Sequence, residues 1–316
     1  MKAKTLIKTT GPDDPRWHEV RKLGFGGSEI AALCGQSPFE TPYTVIARKL
    51  GYLPDKEETN PMRFGKKLEP VVAQWFGEEN PEYKVRKVNA VLQHPKYPFA
   101  LASLDRLAVR PKVDESVLEC KTTSERYLSE WKEGVPSYYQ LQVLWYLFVT
   151  NLDQAFIAAL VGREYIQHAI QKDPEIEDYL IEIAAQYWEL LQHRELPDPD
   201  ATPACAEALK ARYAKPEPVA VILPDEADDL VRMLRWHKDS QKTAASEVMY
   251  LENQLKALMG EADTAYLANE SDPVATWKGQ DTRRFDTKRF KLEHPELYEQ
   301  FMNVSAGRRF LLKGEK

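Results

Sequence analysis

Cysteine is scarce in this chain: three residues out of 316, at positions 34, 120 and 205. Scattered and odd in number, they exclude a disulfide scaffold and suit reduced thiols in a cytosol. They are also too few for a four-cysteine iron–sulfur site. The six histidines show no paired zinc-ligand spacing. No apolar stretch reaches membrane-spanning length, and the Lys-rich N-terminus runs into a polar loop rather than the apolar core of a secretory leader. A cytoplasmic protein without a membrane partner is expected. Internal repeats and low-complexity segments are missing too. So is an excess of positive charge: the net charge is −6, which disfavours a protein that coats nucleic acid with its whole surface. A ring or channel needs only a positive lining, however, and carboxylates gathered around a metal themselves add negative charge. What is present, 43% hydrophobic and 29% charged residues, can bury one large core or two smaller ones.

The most informative stretch is Ala102-Ser103-Leu104-Asp105-Arg106-Leu107 followed by Val117-Leu118-Glu119-Cys120-Lys121-Thr122. Residues 99–109 are largely apolar, as are 117–118, and a polar, Pro-containing turn spans 110–116. This reads as a β-hairpin. Side chains alternate across a strand, so Glu119 and Lys121 share a face, and Asp105 on the partner strand can face them. Two carboxylates and an ammonium at one strand end suit a metal-dependent phosphodiesterase.

Glu-x-Lys by itself is a common tripeptide, and Glu82-Tyr83-Lys84 and Glu130-Trp131-Lys132 match it as well. Glu82 follows Asn80-Pro81 in a polar opening, and Glu130 sits in a charged run that reads as a solvated helix face. Only Glu119 and Lys121 follow an apolar strand with an Asp on the strand before it. A surface cross-strand ion pair fits the same residues and would contribute under about 1 kcal/mol.

Two flanking helices add polar groups. Residues 63–76 carry Leu68, Val71, Val72, Trp75 and Phe76 as an apolar stripe, and Glu69 beside it can reach inward as a third carboxylate. Residues 137–147 place Tyr139, Gln142, Val143 and Tyr146 on one helical face, with Gln140 and Gln142 in otherwise apolar surroundings. A buried glutamine needs a partner, either a water or phosphate oxygen or an ordinary backbone group. Near the N-terminus, Gly26-Gly27 permits a tight bend and Ser28 is a good cap for a helix over 29–33. With Arg21 nearby this is either an anion site or plain helix capping beside a surface arginine.

The ordered set Glu69, Asp105, Glu119-Cys120-Lys121 and Tyr139-Gln140-Leu141-Gln142 resembles the PD-(D/E)XK nuclease superfamily. More narrowly, it is similar to the YqaJ-type viral recombinase nucleases, relatives of phage lambda exonuclease. Arg16-Trp17-His18-Glu19-Val20-Arg21 and Gly24-Phe25-Gly26-Gly27-Ser28 are similar to the opening of these exonucleases, and the resemblance covers roughly residues 14–195. Leu104 precedes the Asp where some relatives carry Pro or Val. The resemblance implies an α/β (α+β) restriction-endonuclease-like core, a central mixed sheet flanked by helices. It further implies that Asp105, Glu119 and the Cys120 backbone carbonyl bind a divalent metal, with Glu69 reaching it directly or through water. Mg²⁺ is the ion expected for all-oxygen ligation, with Mn²⁺ able to substitute. Lys121 would orient the attacking water, and Gln140 would hold that water or the scissile phosphate, with Gln142 and Tyr139 as secondary candidates. Arg21 and Ser28 would hold a 5′-terminal phosphate. The implied activity is 5′-to-3′ digestion of linear double-stranded DNA, leaving 3′ tails for a single-strand annealing recombinase, by a trimeric or tetrameric ring. A DNA endonuclease of the same superfamily and a catalytically silent DNA- or partner-binding scaffold are the alternatives.

The nuclease core is expected over 1–200 and a C-terminal accessory region over 216–316. A helix over 175–194, with Tyr179, Ile183, Tyr187, Leu190 and Leu191 in register, ends at Leu196-Pro197. Lys215-Pro216-Glu217-Pro218 reads as a linker. Residues 225–260 form one long amphipathic helix or a helical hairpin, and a short strand pair is expected at 264–268 and 274–277. The tail from 274 has ten Lys/Arg against six Asp/Glu. Its Arg283-Arg284-Phe285, Lys288-Arg289-Phe290 and Arg308-Arg309-Phe310 suit a nucleic-acid groove or an ordinary surface with anchored phenylalanines.

Overall fold

The computed structural model describes residues 2–9, 11, 13–215, 217–303 and 308–313. The chain divides into two units, Met1–Tyr213 and Ala214–Lys316. The first opens with β1 (Lys4–Lys8), α1 (Pro15–Arg21), α2 (Gly27–Leu33), α3 (Pro42–Lys49) and α4 (Asn60–Glu79). Then come β2 (Lys84–Lys87), β3 (Ala90–Gln93), β4 (Leu101–Ala102), β5 (Arg106–Arg110) and β6 (Asp114–Thr123). It closes with α5 (Leu128–Glu133), α6 (Ser137–Thr150), β7 (Gln154–Val161), β8 (Glu164–Gln171), α7 (Pro174–His193) and α8 (Pro203–Arg212).

The central sheet has the order β2-β5-β6-β7-β8, and only β6 and β7 run parallel. A parallel neighbour requires a crossover, and α5 with α6 supplies it. Alternation along β6 then sorts the sequence onto two faces. Leu118 and Cys120 pack with Val72, Ala73 and Phe76 of α4. Val117 packs instead into the large core with Val143, Leu144 and Leu147 of α6. Every α6 side chain from Gln142 to Val149 is buried, and each large aliphatic one contributes about 1.5–3 kcal/mol.

The chain departs from a simple hairpin at one functional point. Leu101–Ala102 pair with β3 in a separate sheet of order β1-β3-β4, and the chain enters the central sheet only at Arg106. Asp105 therefore stands in the break between two sheets, not within a strand. The hairpin turn is tighter than expected, since β5 and β6 pair out to Arg110 and Asp114 and Lys112 adopts φ 65°.

Two apolar stripes shift in phase. In α4, Val72 and Phe76 are buried but Val71 is exposed; in α7, Leu180 and Ala184 are buried and Tyr179 is exposed. In both helices the true stripe lies one residue further along, a rotation of about 100°.

The second unit contains α9 (Ala227–Met259), a single helix and not a hairpin. β9 (Thr264–Ala265) pairs antiparallel with β10 (Ala275–Thr276). α10 (Thr287–Glu293), capped by the Asp286 carboxylate, and α11 (Pro295–Gln300) follow. Residues 304–307 and 314–316 of the basic tail lie outside the described residues.

Candidate active site

The end of β6 carries the polar cluster. Glu119 and Lys121 project on the α6 side, in register with Ile157 and Ala159 of β7. Lys121 Nζ donates to Glu119 Oε1 at 2.7 Å and to Gln142 Oε1 at 3.0 Å. Gln142 Nε2 donates to the same Glu119 oxygen at 2.5 Å and to the Tyr146 hydroxyl at 3.1 Å. Below the ammonium lies the Tyr139 ring, 4.6 Å from Nζ, a cation–π contact. Burial disfavours the Lys121 ammonium, but the Glu119 and Asp105 carboxylates outweigh it and hold it charged.

Asp105 approaches from the break between the sheets. Its Oδ2 accepts the Cys120 N–H at 3.0 Å, which extends the β5–β6 ladder with a side chain. Burial, then the Glu119 carboxylate opposite, push the Asp105 carboxyl well above the ordinary aspartate range. Glu119 itself is 3% exposed, and its Oε2 is buried without a hydrogen-bond partner.

Two crowded carboxylates, one with an orphaned oxygen, form a donor set that fits a hard divalent cation. In an extended strand the N–H and C=O of a residue point to the same side. The Cys120 carbonyl therefore points past the end of β5, toward Asp105, and can join them. Its thiol cannot: the side chain lies on the α4 face, and burial pushes the thiol up, keeping it protonated. Among the described residues, no three acidic, imidazole or thiol side chains converge as a ready metal cage.

Glu69 does not complete one. Its Oε1 is held by Arg106 Nη1 at 2.5 Å, and Arg106 itself is buried beside the Asp105 carbonyl at 2.7 Å. Arg106 is in register with Leu118, so this pair sits on the α4 side of the sheet.

Gln140 is not brought to the cluster. It is exposed, and its Nε2 donates to the Val135 carbonyl at 2.5 Å. Two helical residues apart is a turn of about 200°, so Gln140 and Gln142 face opposite ways. Gln142 is the one aimed at Glu119 and Lys121. Its spacing from Tyr139 and Tyr146, three and four residues, carries that signal.

At the other end of the cluster stands Arg21. Its Nη2 donates to Ser28 Oγ at 2.8 Å, and its guanidinium lies 4.5 Å from the centre of the Trp17 ring. Ser28 is not the helix cap. Gly26 holds that position and donates its N–H to Glu29 Oε2 at 2.8 Å, which leaves the Ser28 hydroxyl for Arg21. Glu29 pairs in turn with Lys49 at 2.9 Å, and Lys49 donates to the Arg21 carbonyl at 2.8 Å. Burial works against the Glu29 carboxylate, yet Lys49 and Arg21 bring it below its ordinary range.

Close packing joins the two ends. A Cβ on Gly27 would meet Tyr146 Cε1 at 2.5 Å and the Gln142 carbonyl oxygen at 2.8 Å, so only glycine lets α2 approach α6 this closely. Trp145 Nε1 donates to the carbonyls of Phe25 and Leu101 at 3.1 and 3.0 Å. Arg21, Ser28, Glu69, Asp105, Glu119 and Gln142 consequently line one cleft of about 290 Å³. Trp145, Arg106, Glu29 and Lys49 went unassigned in the sequence, which did place Tyr146 on the face of Gln142. Only Glu29, three residues after the cap, carried a recognisable pattern.

Residues 16–153 match the model of the YqaJ-like viral recombinase domain. The chain is 32% identical to the uncharacterized protein YqaJ of Bacillus subtilis (strain 168), over 99% of this chain and 98% of that one. Among solved structures it is similar to an alkaline exonuclease (LHK-Exo) from Laribacter hongkongensis, with TM-score 0.48 and 16% identity. That match covers 57% of this chain and 94% of the other. A phage-related exonuclease from Haemophilus somnus 129PT gives TM-score 0.43 and 15% identity, over 54% and 96%. Among the described residues, no helix is long and apolar enough to cross a membrane.

Proposed function

This chain belongs to the YqaJ-like viral recombinase domain family, and from that premise we propose that it is a metal-dependent nuclease. Its substrate is linear double-stranded DNA, digested from a 5′ end to leave 3′ tails for a single-strand annealing recombinase. The observation that carries this reading is the crowded Asp105–Glu119 pair, with its orphaned Oε2 and Lys121 alongside, in the same cleft as Arg21 and Ser28.

Asp105, Glu119 and the Cys120 carbonyl would hold the cation, Mg²⁺ with Mn²⁺ able to substitute, while Glu69 is tied to Arg106. When bound, the ion neutralises the paired carboxylates and polarises the scissile phosphate. Lys121, fixed by Glu119, Gln142 and the Tyr139 face, orients the attacking water. Gln142 takes the role expected of Gln140, but toward the protein groups: it sets the rotamers of Glu119 and Lys121. Arg21, already aimed at Ser28, holds the 5′-terminal phosphate through charge-assisted hydrogen bonds. A trimeric or tetrameric ring would supply the end requirement.

The test is digestion of 5′-phosphorylated linear duplex beside closed-circular plasmid, in Mg²⁺ or EDTA, by the parent and Lys121→Ala. Magnesium-dependent loss of the linear DNA alone, absent in the variant, supports the proposal. Cutting of the circle identifies an endonuclease, and no cutting of either identifies a binding scaffold.

A further inference from the structure

The long helix α9 belongs to the second unit. Its 33 residues include none that is buried, and a helix gains most of its stability from packing an apolar face rather than from propensity. The face is there. Counting heptads from Ala227, the a positions are 227, 234, 241, 248 and 255 and the d positions 230, 237, 244, 251 and 258. All are apolar but His237 and Gln241. Leu230, Leu251 and Leu258 on this seam are 68%, 56% and 84% exposed. Among the described residues the chain's own tail lies elsewhere on the helix: Arg235 Nη2 donates to the Lys313 carbonyl at 3.3 Å, and residues 310–313 line a groove with Arg235, Lys238 and Asp239. Those three occupy b, e and f positions, beside and behind the seam.

Charge says what lies across it. Residues 232–242 carry four cations and one carboxylate, net +3, whereas residues 243–253 carry Glu247 and Glu252 only, net −2. We propose that α9 pairs with α9 of a second copy of this chain as an antiparallel coiled coil centred between Lys242 and Thr243. Reversal about that point sets each +3 segment against the partner's −2 segment. The same point sets Leu230 against the partner's Leu255 and Leu234 against the partner's Leu251. The small Ala244 then faces the partner's Gln241 and gives its amide room. A parallel pair would set like segments together and place Glu247 at g beside the partner's Glu252 at e, a repulsive contact.

Sedimentation equilibrium of the full chain tests this, because any association made by the first unit is common to all variants. The parent should have twice the assembly mass of Leu234→Lys/Leu251→Lys. Exposed charge changes leave folding intact, as circular dichroism can verify, so they keep the test meaningful should the leucine variant unfold. Glu247→Lys/Glu252→Lys should raise the dissociation constant about tenfold. Adding Arg235→Glu/Lys238→Glu should restore it to within about threefold. A parallel pair would not respond to the first charge change, because each segment would still face its own kind. Equal mass for the parent and the leucine variant, or no response to the charge reversal, overturns the proposal.

Discussion

Replacing Gln142 by Leu removes polar contacts while nearly conserving volume. The Gln142 side chain is 6% exposed, and two of its hydrogen bonds go to charged groups, Glu119 at 2.5 Å and Lys121 at 3.0 Å. A hydrogen bond to a charged group contributes about 1.5–3 kcal/mol, so the two together bound the loss at about 3–6 kcal/mol. Glu119 keeps Lys121 and can relax toward it, which leaves about 2–3 kcal/mol to be felt in the chemical step. At 1.36 kcal/mol per decade, that is a loss of about 30- to 150-fold. Single-turnover digestion of a labelled linear duplex measures it, with affinity for the duplex in EDTA as the control that should not move. Gln140→Ala, which forfeits one half-buried bond to a backbone carbonyl outside the cluster, should stay within about twofold of the parent. Parental turnover in Gln142→Leu, or an equal loss in Gln140→Ala, would refute the assignment of the helix glutamine.

Asp105→Asn should abolish cleavage yet raise the melting temperature in EDTA at pH 7. The Asp105 carboxyl titrates higher folded than unfolded, so its protonation favours the folded state. The metal-free parent should therefore lose stability as pH climbs from the ordinary aspartate value of 3.8 toward the raised folded value. Loss of that pH slope in the Asn variant is the check, and a lower melting temperature would contradict the crowding. Gly27→Ala should destabilise by about 1–3 kcal/mol in denaturant titration, because the new methyl meets Tyr146 and a backbone carbonyl; unchanged stability would mean that α2 and α6 slide apart freely. Arg21→Ala should erase any preference for 5′-phosphorylated over 5′-hydroxyl ends, measured as a ratio of rates; a retained ratio would place the phosphate elsewhere. Tyr139→Phe should keep turnover and Tyr139→Leu lower it several-fold, since the ring face beneath Lys121 is what positions the ammonium.

Strand alternation was enough to bring Glu119 and Lys121 to one face, because period two leaves no freedom within a strand; Asp105 meets them from the break between two sheets and not from the partner strand. Helical residues were harder to place. A phase error of one position moves a side chain by about 100°, which is why Val71 and Tyr179 emerged on the surface; Gln142 already shared the face of Tyr139 and Tyr146 in the sequence, and only the family resemblance pointed to Gln140 instead. The partner of Glu69 was not legible because Arg106 lies 37 residues away, and its register opposite Leu118 is a property of the paired strands. Nor was the break before Arg106. A run of apolar residues over 99–109 looks the same whether it stays in one sheet or crosses between two.

The indole N–H of Trp145, shared between the Phe25 and Leu101 carbonyls, has a consequence for product size. Phe25 leads directly into the Gly26-Gly27-Ser28 turn, Leu101 lies four residues before Asp105, and Trp145 belongs to the helix that carries Gln142. One side chain thus pins the segment that grips a strand end and the segment that cuts it to a common post. Under the proposed function, the separation of grip and cut is the length of the fragment released, and Trp145 is the fixed mark on that ruler. Softening this post, as in Trp145→Phe, should blur the ruler into fragments of mixed length before it slows the cutting itself.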